Sequence, residues 1–179
     1  MKLDRGRAAL VVIDVQEAFR PAVLDFDRVA ANVGVLVQGA RILGLPALVT
    51  QQYTKGLGDT VEEVAKHLEG VPRLEKTSFS ALGANGFPAA LPDVRDQVLL
   101  CGIEAHVCVN QTAEDLLATG REVHVVSDAV TSRTTENREL GIHKMEQSGA
   151  VVTSVETALF ELLREAGTPE FKEIQGLIR

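Results

Sequence analysis

The chain has 179 residues, of which 45% are hydrophobic and 24% charged, and its formal net charge is −7. That length suits one domain spanning residues 1–179, with room for a real core. The acidic balance and the lack of a dense basic run argue against a nucleic-acid partner, and no apolar stretch reaches the roughly 18 residues of a membrane span.

Residues 1–7 lack the apolar centre of a signal peptide. The two cysteines, Cys101 and Cys108, are too few for a disulfide framework, so a reducing, cytoplasmic setting is expected. In chain order, the first apolar run covers residues 8–13 and ends at Asp14. A helix is expected next, through Val29, Val33, Leu36, Val37 and Ala40, stopping at Gly44. A second run covers 46–50. It leads into the least regular stretch, 53–92, which holds five glycines, Lys76 and a short β-like run near Leu74. Connections this long are more often functional than idle.

The next run, 97–103, is followed five residues later by Cys108, which opens a helix-like stretch ending near Thr119. Runs at 122–127 and 150–153 follow, then a helical pattern through Val155, Leu159, Leu162, Leu163 and Ala166. The runs are rich in Val, Leu and Ile without polar alternation, as in strands covered on both faces. The order predicts a three-layer α/β/α sandwich around a six-stranded, mostly parallel sheet. A Rossmann-like order 3-2-1-4-5-6 would set the ends of the first and fourth strands side by side at the switch point, where ligands bind. Asp14 and Cys108 would then face one crevice across 94 positions of sequence.

A thiol, a carboxylate and an ammonium brought together make an activated nucleophile with its base. A helix start and a neighbouring Lys76 would both favour the Cys108 thiolate. Asp14 can accept the thiol proton and pass it to a leaving group. Backbone N–H groups between Glu104 and Cys108 are candidate donors to an oxyanion. Taken one by one, the same residues have plainer readings: a small buried thiol, a cap after a strand and a solvated lysine. Glu104, a carboxylate beside the thiol, is expected to turn away or to pair with a cation such as Arg133. Phe19, Tyr53 and Phe79 are candidate walls for a small-molecule substrate. His67 is isolated, and His124 and His143 read as structural or solvated. His106 reads as a turn residue or part of a pocket rim. Phe171, Ile174, Leu177 and Ile178 form an apolar stripe that caps either this chain's core or a partner subunit.

Three ordered motifs carry a resemblance. The segment Val12-Ile13-Asp14-Val15-Gln16 with Phe19 resembles the opening motif of the isochorismatase-like cysteine hydrolases. Glu75-Lys76-Thr77-Ser78-Phe79-Ser80 is similar to their lysine segment. Gly102-Ile103-Glu104-Ala105-His106-Val107-Cys108-Val109 followed by Gln111-Thr112 resembles their nucleophile motif. Residues 52–58 and the tail from Pro169 to Gln175 resemble the isochorismatase domain-containing subgroup. The resemblance implies Cys108 as nucleophile, Asp14 as general base and Lys76 as charge partner. It also implies cleavage of an amide or related C–N bond through a thioester, a cis peptide between Ile103 and Glu104, and a homo-oligomer. Isochorismatases that cleave a vinyl ether lack the cysteine, so Cys108 points away from that reaction. Nicotinamidases of this family hold a metal with an Asp and several His after the second strand. Here Thr50-Gln51-Gln52-Tyr53-Thr54 supplies none, so no metal and no cofactor are expected. Two other readings stand beside this one: a hydrolase of a non-amide substrate on the same fold, and a binding or scaffold protein that keeps the triad.

Overall fold

In the computed structural model, which describes residues 2–178, six strands form one sheet in the order β3-β2-β1-β4-β5-β6. All neighbours run parallel. The strands are β1 (Ala8–Ile13), β2 (Ala47–Gln52), β3 (Arg73–Lys76), β4 (Gln97–Ile103), β5 (Glu122–Thr131) and β6 (Val151–Thr153). The helices are α1 (Phe26–Leu43), α2 (Thr54–Leu57), α3 (Glu62–Ala65), α4 (Phe87–Ala90), α5 (Asn110–Ala118), α6 (Thr135–Gln147), α7 (Val155–Leu163) and α8 (Pro169–Leu177). The expected three-layer architecture and strand order are what the molecule has.

Period-two alternation builds the two cores. From β1, Ala8, Leu10 and Val12 join the core covered by α1, α7 and α8. Ala9, Val11 and Ile13 join the other, which α5 and α6 cover. β4 divides the same way, sending Cys101 into the α1 side and Val98 and Leu100 into the opposite core. The C-terminal stripe covers its own molecule. Ile174 is fully buried, while Leu177 and Ile178 pack on the α1-side core.

Several boundaries differ from the sequence reading. β2 runs on to Gln52, and α7 ends at Leu163 rather than Ala166, with Arg164 in a left-handed conformation (φ 69°). β5 continues past Ser127 to Thr131. Between the pairs Leu100↔Val125 and Gly102↔Val130 it advances five residues while β4 advances two, so the polar Ser127-Asp128 bulges out mid-strand. The bulge is used: Asp128 accepts a hydrogen bond from the Val155 N–H at the start of α7 (2.9 Å).

Candidate active site

The site gathers at the carboxyl ends of β1, β3 and β4. Ile13 of β1 pairs with Gly102 of β4, so the residues that follow, Asp14 and Ile103, leave the sheet side by side. Gly102 is required there. With φ at 122°, a Cβ would lie 2.0 Å from the Ile13 carbonyl oxygen, and only glycine lets the two backbones approach so closely. The Ile103–Glu104 peptide is cis, as the resemblance implied. The chain then forms a π-turn, Ala105–Val109, before α5 begins at Asn110. Cys108 therefore sits inside this π-turn, just ahead of the α-helix it was expected to open.

Lys76 reaches Asp14 from the edge strand β3, two strands away. Its Nζ donates to Asp14 Oδ2 at 2.7 Å, to Gln52 Oε1 at 2.6 Å, and to the carbonyls of Ser78 (3.1 Å) and Phe79 (3.0 Å). Both side chains of the ion pair are fully buried. The other Asp14 oxygen accepts from Thr50 Oγ1 at 2.7 Å. Every lone pair so engaged fixes the carboxylate's orientation. Gln16 locks the frame, accepting from the Gln52 N–H (2.7 Å) and donating to the carbonyls of Gln52 (2.9 Å) and Gly58 (2.7 Å).

Cys108 is 6% exposed. Burial first, and then the negative charge of Asp14, push its thiol up to about 12, with Lys76 pulling the other way. The expected drift toward thiolate is thus reversed, because burial and the Asp14 charge together outweigh the pull of Lys76. At neutral pH that shift favours the protonated thiol. Cys101, wholly buried, is pushed up further by burial alone.

Glu104 pairs with Arg133 as expected: Nε and Nη2 reach its two oxygens at 3.0 and 2.8 Å, and the Arg133 backbone N–H adds a third bond at 3.1 Å. Burial opposes the charge, but these bonds overcome it and hold the carboxyl below its ordinary value. His106 Nδ1 lies 3.0 Å from Ser132 Oγ. Of the candidate walls, Tyr53 and Phe79 are half exposed, and the Phe79 carbonyl is one of the acceptors of Lys76. Phe19 packs instead against the α1-side core, whereas Cys108 belongs to the other. His124 is buried in β5 beside Glu122 (2.8 Å).

Four residues were given no supporting role from the sequence: Thr50, Gln16, Gln52 and Thr112. Thr112 Oγ1 donates to the Cys108 carbonyl (2.7 Å) and accepts from the Ala81 N–H (2.9 Å), tying the turn that carries Cys108 to the loop after Lys76. The amides of Gln51 and Gln52 occupy the stretch where metal ligands were sought. Gln52 holds Lys76, and Gln51 donates to Asp59 at 3.3 Å. Among the described residues, no group of three or more His, Cys, Asp or Glu stands close enough to hold a metal ion. No helix among them is long and apolar enough to cross a membrane.

Comparison with known proteins agrees with this fold. The isochorismatase domain family model matches residues 8–157. A relative from Phytophthora sojae, a secreted isochorismatase effector, is 46% identical over 96% of this chain and 84% of its own length. Isochorismatase domain-containing protein 2 of Danio rerio is 42% identical over 99% of this chain and 89% of its own. The solved structure of the MAR1 ribonuclease from Caenorhabditis elegans superposes with a TM-score of 0.95 at 41% identity, covering 99% of this chain and 92% of that one. The chain belongs to the isochorismatase domain family, in the subgroup of isochorismatase domain-containing proteins, and is a hydrolase of the isochorismatase-like type.

Proposed function

We propose that the protein is a cysteine hydrolase that cleaves a C–N, amide-like bond of a small molecule through a thioester. The observation that carries this reading is the fully buried Asp14–Lys76 pair beside a buried neutral thiol. Asp14 takes the Sγ proton as sulfur attacks the carbonyl carbon. The C=O electron pair moves onto oxygen, where the N–H groups of Glu104 and Cys108 receive the charge. Collapse breaks the C–N bond as Asp14 returns the proton to the leaving nitrogen. Water, with Asp14 again as base, then displaces sulfur and releases a carboxylic acid and the free thiol. Lys76 keeps the protonation of Asp14 reversible by holding a positive charge 2.7 Å from Oδ2. Tyr53 and Phe79 are proposed as the rim that receives the substrate.

An ammonia-release screen across small amides, ureido acids and nitriles, with Cys108→Ala as control, tests the reading. Turnover lost in that variant is the expected result; turnover at the wild-type rate removes Cys108 from the mechanism. Trapping of Cys108 by a substrate-like electrophile only when Asp14 is present separates an enzyme from a scaffold. Hydrolysis of esters alone would favour the non-amide alternative. The mechanism uses no metal or cofactor, so exhaustive chelation is expected to leave the rate unchanged.

A ribonuclease activity, named for the Caenorhabditis elegans relative, is not proposed, since the net charge of −7 opposes a polyphosphate substrate. A homo-oligomer is proposed on the family resemblance, and sedimentation showing only monomer at micromolar concentration would remove it. Two free cysteines support a cytoplasmic location. Because the Phytophthora relative is named a secreted protein, cell fractionation is the deciding measurement.

A further inference from the structure

Glu104 lies four residues before the nucleophile, and its charge pushes the Cys108 thiol upward, in the same direction as that of Asp14. Proton transfer from Cys108 to Asp14 moves negative charge onto sulfur, and an uncompensated Glu104 opposes that movement. Arg133 answers it with a two-toothed pair at 3.0 and 2.8 Å. The pair is lopsided: the Glu104 side chain is 6% exposed and that of Arg133 60%. The guanidinium keeps its water while the carboxylate has given up nearly all of its own.

A purely mechanical role has competitors already in place. His106 and Ser132 join the same two segments. Gly141 of α6 lies against the turn so closely that a Cβ would stand 2.6 Å from the Ala105 carbonyl carbon and 2.7 Å from the His106 nitrogen. The π-turn is therefore fastened to β5 and α6 without Arg133. The Glu104 charge, by contrast, has one ion-pair partner among the described residues, Arg133. The charged or titratable groups around the thiol are Asp14 after β1, Lys76 on β3, Glu104 and His106 in the nucleophile turn, and Arg133 after β5.

We propose that Arg133 is a positioning residue that acts through Glu104, cancelling its charge beside Cys108 so that thiol-to-Asp14 proton transfer is not opposed by a second carboxylate. This rests on Cys108 being the nucleophile and deepens that reading. The test is the pH–rate profile of Cys108 alkylation by iodoacetamide, followed by intact mass, in wild type, Arg133→Met, Arg133→Lys, Glu104→Gln and the double variant Glu104→Gln/Arg133→Met. Arg133→Met is expected to slow alkylation about tenfold at neutral pH, one unit of midpoint being a factor of ten. Arg133→Lys keeps most of the rate. The double variant, with no charge left to cancel, recovers it.

A double variant as slow as Arg133→Met would make Arg133 a fastener and overturn the proposal, as would an unchanged rate in Arg133→Met. If Arg133→Met does not fold, Glu104→Gln decides: its midpoint is expected below that of wild type, and an unchanged midpoint overturns the idea. Wild-type Cys108 inert to the reagent would instead strike the nucleophile reading and take this proposal with it. A reactive wild type with an unaffected Arg133→Met removes this proposal alone.

Discussion

At the residue scale, the site depends on an ion pair withdrawn from water, and such pairs are costly to half-dismantle. Asp14→Asn leaves the Lys76 ammonium buried without its counter-ion, and Lys76→Met strands the carboxylate. Each is expected to cost about 3–5 kcal/mol of stability. The double replacement, which removes both charges, should cost less than the two added together. Urea unfolding of the four proteins measures this, and single-variant losses below about 1 kcal/mol would mean the pair is more hydrated than its geometry implies. Thr112→Val orphans the Ala81 N–H and frees the Cys108 carbonyl, so a loss of about 1–3 kcal/mol is expected with a lowered kcat. Similar midpoints for variant and wild type would show both bonds to be replaced by water. Asp14, Lys76 and Cys108 were legible because each belongs to a motif of fixed local sequence. The roles of Thr50, Gln52 and Thr112 were not, although Thr112 lies within the motif around Cys108, since a polar residue at a strand end or on a helix has no periodic signature. The roles of Thr50 and Gln52 arise only when β2 lies between β1 and β3, and that of Thr112 only when α5 meets the loop after Lys76, arrangements outside any local window.

At the element scale, hydrophobic runs located the central strands, because strands buried on both faces announce themselves, whereas edge strand β3, with Arg73 and Glu75 exposed, showed only as a short run near Leu74. They misjudged the ends wherever polar residues continued an element. Gln51 and Gln52 prolong β2 because its tip faces the site, and Ser127-Asp128 interrupts the apolar run of β5 at a bulge. Beyond that bulge, Ser132 and Arg133 meet His106 and Glu104 in the turn that carries Cys108, so the apparent strand end was a detour. The turn itself depends on two glycines with different tasks. Gly102→Ala would force a Cβ onto the Ile13 carbonyl in a backbone conformation that L-residues avoid, and is expected to abolish folding. Gly141→Ala presses from α6, outside the sheet, on main-chain atoms of Ala105 and His106 at 2.6–2.7 Å, so α6 or the turn must move. It is expected to fold while losing at least about tenfold in kcat, through misplacement of Cys108, the proposed nucleophile. Circular dichroism paired with steady-state kinetics distinguishes the two. A Gly141→Ala enzyme with wild-type kcat would show that α6 does not set the turn.

At the scale of the whole molecule, the strand order was the assumption on which the sequence argument turned, and no residue encodes it directly. It was taken over from the doubly wound pattern of a Rossmann-like sheet, and the sheet has that order. We propose that the chain unfolds as one domain, in a single cooperative transition. Its response to alkali follows from the two thiols. Burial raises Cys101 well above its ordinary 9.0, and burial with the Asp14 charge raises Cys108 to about 12. Both stay protonated in the folded chain at pH values where the unfolded chain has released its protons. The unfolded state then binds fewer protons, so stability is complete below about pH 9 and falls as pH rises toward the folded values. Each thiol contributes a slope of about 1.4 kcal/mol per pH unit in that window. Urea midpoints between pH 7 and 10.5 should therefore decline more steeply in wild type than in Cys108→Ala, and Cys101→Ala should flatten the decline by a similar amount. If Cys108→Ala follows the wild-type slope, the Cys108 thiol ionises as readily folded as unfolded, and Asp14 is not needed to take its proton.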